Sequence, residues 1–182
     1  MKRIGFCAIV LASAAGVLSV PSAAGAQNCT ATGAPASCSV PGSVSMTAGR
    51  VVRLQVSAGS TALTAPTTAD FDAGFNATAG PTLTVSANAA WTLSVRASSA
   101  VWTATNTSPG APARTDKPAG DLKWSTVSNG AFASLTTGDV NLVSGAATAS
   151  SATSLYFQTL YDWALDTPGS YSLSVVLTLT SP

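Results

Sequence analysis

The stretch from residue 90 to 97, AWTLSVRA, sets Trp91, Leu93 and Val95 at every second position, with Thr92, Ser94 and Arg96 between them. Successive side chains of an extended chain point to opposite faces, so this spacing makes one greasy face and one wet face of a strand. The same alternation recurs in VVRLQVSA, where Val52, Leu54 and Val56 share a face, and in YSLSVVLTLT, where Tyr171, Leu173, Val175, Leu177 and Leu179 do. In SLYFQTLYDWAL it groups Leu155, Phe157, Tyr161, Trp163 and Leu165. Beyond the first 26 residues no stretch sustains a 3.6-residue apolar spacing, which excludes a helical core.

Shorter strands are expected over Val44–Thr47, Thr82–Ser86, Val101–Thr105, Asp121–Val127, Ala131–Leu135 and Val140–Val143. Turn signals separate them: PG at 41, 109 and 168, AGP at 79, SNG at 128 and TGD at 137. About nine or ten short strands with frequent turns predict an all-β fold, a single immunoglobulin-like β-sandwich with Greek-key connections. The longest irregular stretch is residues 106–120, NTSPGAPARTDKPAG, which Pro109, Pro112 and Pro118 keep out of regular structure.

Residues 1–26 stand apart. Lys2 and Arg3 precede an apolar run from Ile4 to Val20, Pro21 breaks it, and Ala24-Gly25-Ala26 supplies a small-x-small cleavage pattern. This predicts a secretory signal peptide cut after Ala26. The competing reading, a membrane anchor, fits less well, because the run is short and rich in Ala, Gly and Ser. Cys7 has no lipobox before it. The expected mature chain is one domain, 27–182, long enough to bury a core.

Removing Lys2 and Arg3 from the 8 basic residues leaves 6 against 7 acids, a net charge of −1. All seven acids are Asp, and histidine is absent. The scattered charge gives no basic patch for nucleic acid and no polybasic or amphipathic segment for membrane insertion. Without histidine there is no base for a histidine-dependent hydrolase and no ligand set for the usual zinc site. No glycine-rich loop follows a strand and opens a helix, so nucleotide binding is unsupported and no cofactor is expected. Cys29 and Cys38 remain in the mature chain, and an even count in an exported protein predicts a disulfide, closing a loop within residues 27–40. In the chain-entropy account such a loop stabilises by about 2–3 kcal/mol.

Three sets of side chains are candidates for binding. In ADFDAGFN, Asp70, Asp72 and Asn76 place oxygen ligands at alternate positions, a spacing that suits calcium, although no glutamate completes a ligand loop. The bland alternative is a loop whose Asp side chains bond local amides. Asp162 and Asp166 flank WAL and could form an acid pair, but Asp166 opens a DTPG turn, an ordinary place for Asp. Trp91 and Trp163 fall in register with apolar neighbours and are expected in the core. Trp102 and Trp124 lie on the arms of the 101–127 hairpin, whose loop carries Arg114, Asp116 and Lys117. Exposed indoles beside polar loop groups would make a carbohydrate or cell-wall binding module; packed inward, they would be more core.

GPTLTVSANAAWTLSVRAS (80–98) and DTPGSYSLSVVLTLTSP (166–182) resemble the WxL-type and spore coat protein U-like secreted bacterial surface domains. Those families share an LTV-x-x-N-x-x-W-x-L strand pair and a PG-x-Y turn before a long last strand. Trp91–Leu93 matches the first W-x-L element and Trp163–Leu165 a second, while Leu177 stands where the terminal Trp would be. The resemblance implies a surface-associated β-sandwich. The leading expectation is a non-enzymatic exported structural protein, partnered with its own copies or with a cell-envelope polymer, because an uncharged last strand at a sheet edge is a template for strand addition.

Overall fold

The computed structural model describes residues 28–107 and 112–182; the expected signal peptide, 1–26, and positions 108–111 of the long loop lie outside them. The chain divides into two compact units, Met1–Thr47 and Ala48–Pro182. In the first, residues 28–47 are exposed and carry no regular secondary structure, so the expected strand Val44–Thr47 is not formed. A disulfide joins Cys29 and Cys38, whose Cα atoms lie 5.8 Å apart.

The second unit is all-β and sandwich-like. In chain order it contains β1 (Val52–Val56), the short helix α1 (Thr68–Ala73), β2 (Phe75–Ala87), β3 (Trp91–Ala97), β4 (Thr103–Asn106), β5 (Leu122–Ser125), β6 (Ala133–Ser134), β7 (Val140–Gly145), β8 (Thr148–Leu160), β9 (Gly169–Ser172) and β10 (Val175–Thr180). One sheet runs β1-β2-β8-β5-β6, a second β10-β3-β7, and β4 pairs with β9. Every strand pairing is antiparallel. No described helix is long and apolar enough to cross a membrane.

The alternation read from the sequence sets the core. Trp91, Leu93, Val95 and Ala97 of β3 turn one row inward, against Leu83, Val85 and Ala87 of β2 at one end and Leu122, Trp124, Leu155 and Phe157 of β5 and β8 at the other. Tyr171, Leu173, Val175, Leu177 and Leu179 pack onto the same core, as the alternation predicted. The β1 row is poorer: only Leu54 packs inward, while Val52 and Val56 stay exposed.

Glycines permit two close approaches. β2 bulges between Ala79 and Thr82, and Gly80 there lies beneath the Phe157 ring, where a Cβ would sit 2.8 Å from Phe157 Cε2. At the end of β7, a Cβ on Gly145 would be 2.8 Å from Trp91 Cζ2. That contact seats the Trp91 indole, whose Nε1 donates to Ala146 O at 2.8 Å.

Candidate functional site

The stretch 70–76 is not a loop throughout: α1 takes in Asp70 and Asp72, and Asp70 bonds local groups, the alternative to a calcium loop. Thr67 caps the helix: Asp70 Oδ2 accepts from both the Thr67 amide and its hydroxyl at 2.7 Å, a reciprocal capping box. Those bonds hold the Asp70 carboxyl below its ordinary pKa, with a further contribution from the Asn76 side chain. Gly74, at φ 79°, ends the helix in the left-handed region. Positions two apart on a helix face different ways, so Asp72 is turned from Asp70 and accepts instead from Trp163 Nε1 at 3.1 Å. Among the described residues no three acidic or cysteine side chains are grouped to hold a metal.

The indoles of the 101–127 hairpin are not exposed. Trp102 is 5% and Trp124 8% accessible, both inside the core cluster with Val95 and Phe157. Trp102 Nε1 donates to Pro118 O at 3.1 Å, pinning the loop over it, whereas Trp124 Nε1 is buried without a partner among the described residues. The expected binding face of that hairpin is therefore corrected: its apolar surface is spent on the core. Trp163 is corrected in the opposite sense, being 61% exposed. The row that starts at Leu155 and Phe157 ends with β8 at Leu160, and the chain leaves the sheet into a turn over 161–168.

The polar loop residues do come together, around a carboxylate the sequence placed only in a turn. Lys117 is 3% exposed, and its ammonium donates to Asp166 Oδ1 and Oδ2 at 2.9 and 3.0 Å, to Asp121 Oδ2 at 3.2 Å and to Leu160 O at 2.8 Å. Arg114 donates from Nη1 to Asp166 Oδ1 and from Nε to Asp116 Oδ1, each at 3.0 Å. Asp166 Oδ2 also accepts from the Asp162 amide at 2.9 Å. Burial pushes the Asp166 carboxyl up, but the bonds from Lys117, the Asp162 amide and Arg114 together with the charge of Lys117 outweigh it, and its pKa is lowered from the usual value. Burial likewise opposes the Arg114 charge, and the carboxylates of Asp116 and Asp166 outweigh it, so its pKa is raised.

Tyr171 completes the clamp. Its hydroxyl accepts from the Arg114 amide at 3.0 Å and donates to Thr167 O at 2.6 Å, while Thr167 Oγ1 donates to Pro112 O at 2.7 Å. Residues 112–121 are thereby tied to the 161–169 turn and to β9. Asp162 does not pair with Asp166 as an acid; its Oδ1 accepts from the amides of Ala164 and Leu165 at 2.7 and 3.1 Å and closes the turn. With four hydrogen bonds Asp166 has its acceptor sites filled.

Beside the cluster lies a cavity of about 380 Å³, lined by Leu63, Pro66, Phe71, Trp102, Tyr161 and Tyr171, with Lys117 and Asp166 also on its wall. The Tyr161 hydroxyl has a raised pKa, chiefly through burial and despite a bond with Thr159, and the Lys117 ammonium stands 5.6 Å from its ring centroid. Phe71 lies on a helix too short to show periodicity, and Tyr161, read from the alternation as part of a strand row, follows the end of β8 at Leu160 and lines the cavity instead.

A second candidate surface is the edge of the smaller sheet. β10 pairs with β3 on one side and with no described strand on the other. Its residues Val175 to Thr180 carry no charge. Leu93 and Val95 of β3 are 0% exposed, yet Leu177 and Leu179, facing the same core from β10, are only half-buried. No protein-family model matches the sequence, and no curated protein does.

Proposed function

We propose that the chain is an exported, non-enzymatic structural subunit, an immunoglobulin-like Greek-key sandwich that assembles with further copies by strand addition along β10. The observation that carries this reading is the half-buried inward row of β10 at an edge without Lys, Pro or any charge. Natural sheets normally blunt such an edge. A strand laid against it would gain main-chain hydrogen bonds and would cover Leu177 and Leu179. The incoming strand needs apolar residues at alternate positions, and residues 43–47 of another copy offer them: Val44 and Met46 are 100% and 89% exposed on an unpaired segment. Export follows from the signal-peptide pattern, and the WxL-type resemblance supports a place at the cell surface.

Light scattering over a concentration series tests this. The expected result is mass rising with concentration, and a monomer for the Val176→Lys, Thr178→Lys double variant and for a chain lacking residues 28–47. A strictly monomeric wild type at the highest concentration, or an oligomer indifferent to both changes, overturns the proposal.

A further inference from the structure

We propose that the 161–166 turn carries a carbohydrate site, in which the Trp163 indole is the stacking platform for a pyranose ring of an uncharged polysaccharide. Trp163 is the exposed indole of the second unit, since Trp91, Trp102 and Trp124 are all buried. Two contacts set its orientation: the Phe71 ring centroid lies 4.6 Å away at 30°, covering one side, and Nε1 donates a hydrogen bond to Asp72 Oδ1 at 3.1 Å. Phe71 in turn stands 5.4 Å from the Tyr161 ring, so the platform continues into the wall of the 380 Å³ cavity.

Its polar handle thus already satisfied, the indole presents only a π face, which carries negative quadrupole charge and attracts the polarised C–H bonds of a sugar ring. Because its orientation is set by Phe71 and Asp72 before any ligand arrives, little rotamer freedom is lost on binding. The rim fits the same ligand class. Asp72 and Asp162 each have a second carboxylate oxygen that accepts no hydrogen bond among the described residues, and these oxygens suit sugar hydroxyls as donors. Two acids at the rim repel anionic sugars, which restricts the class to uncharged rings.

The test is depletion of the purified protein from solution by insoluble cellulose, xylan and chitin, with Trp163→Ala and Trp163→Phe beside wild type. Wild type is expected to be retained by at least one polymer, Trp163→Ala to bind about tenfold or more weakly, and Trp163→Phe to fall between them. Soluble oligosaccharides of the retained sugar are expected to shield wild-type tryptophan emission from iodide, since Trp163 is the accessible indole. Unchanged thermal melting of Trp163→Ala separates lost binding from lost folding. Retention by none of the polymers, or equal retention of Trp163→Ala, overturns the proposal. So does loss of self-association in Trp163→Ala with polymer binding intact, which would make the platform a protein contact. The site does not depend on strand addition: the Val176→Lys, Thr178→Lys variant is expected to bind polymer as wild type does.

Discussion

Lys117 and Asp166, 49 residues apart in the chain, meet inside the protein with the ammonium 2.9 and 3.0 Å from the two carboxylate oxygens. Side-chain exposures of 3% and 7% leave both charges largely out of bulk water. Removing Asp166 leaves Lys117 with Asp121 Oδ2 and Leu160 O, and Arg114 with Asp116, so charge-assisted bonds are lost without stranding either cation. Asp166→Asn is therefore expected to cost about 1.5–3 kcal/mol, read as a lower urea midpoint at pH 7. Lys117→Met combined with Asp166→Leu is expected to cost less than the two single changes added together, because the ammonium and the carboxylate that bonds it leave together. Simple additivity in that cycle would show that the two side chains do not interact.

The depressed pKa of Asp166 gives this contact a pH dependence of known sign. The unfolded carboxyl titrates near its ordinary value of about 3.9, and the folded one below that. The stabilisation is fully present above the unfolded value and is lost as pH falls through the folded one. Stability is expected to be level above about pH 5 and to drop on further acidification, with a contribution of the same sign from Asp70, whose pKa is also lowered. Asp166→Asn, already destabilised, is expected to show a shallower acid slope in denaturation series between neutral and strongly acidic pH. An acid slope equal to wild type would assign the titration to other groups.

The three buried indoles differ in one respect, which predicts an order for replacement by Phe. Trp91 Nε1 donates to Ala146 O at 2.8 Å and Trp102 Nε1 to Pro118 O at 3.1 Å, while Trp124 Nε1 is buried without a partner among the described residues. An unsatisfied buried donor costs about 1–3 kcal/mol, and Phe removes it. Trp124→Phe is expected to be the mildest of the three by thermal melting, its lost volume partly offset. Trp91→Phe and Trp102→Phe lose both contacts and a carbonyl partner.

Gly80 and Gly145 are expected to resist even alanine. Added Cβ atoms would stand 2.9 Å from Leu155 O and 2.8 Å from Phe157 Cε2 at the first, and 2.8 and 3.0 Å from ring atoms of Trp91 at the second. Aromatic rings pinned in a core, or backbone, cannot give way cheaply, and overpacking of this kind costs about 1–3 kcal/mol. Gly42→Ala, whose Cβ meets nothing within 4 Å, is the control and is expected to melt like wild type.

The strand pattern was legible in the longest alternating rows, though in β1 only Leu54 of the Val52–Val56 row packs inward. The β3 row of Trp91, Leu93 and Val95 and the last row from Tyr171 to Leu179 pack inward as their spacing implied. The pattern misled where a row ran past the end of its strand. Trp163 and Leu165 continue the parity of Leu155 and Phe157, but Thr159 interrupts the apolar series and Asp162 closes a turn, so both side chains emerge into solvent. α1 was illegible for another reason: its six residues are too few for a helical period, and its capping box is local chemistry hidden in a sequence that also reads as a loop.

What the sequence determined alone is the all-β class, the inward face of the strongest strands and the pairing of Cys29 with Cys38, because backbone alternation and a short loop between two thiols act over neighbouring residues. Only the tertiary structure decided that Trp102 and Trp124 are core, that Lys117 is buried on Asp166, that Trp163 faces water beside Asp72, and that β10 ends its sheet. Each of these depends on a partner far along the chain, 91 residues away for Trp163 and Asp72. No local propensity specifies which distant surface a side chain will meet; that follows only from how the sheets close over their shared apolar rows.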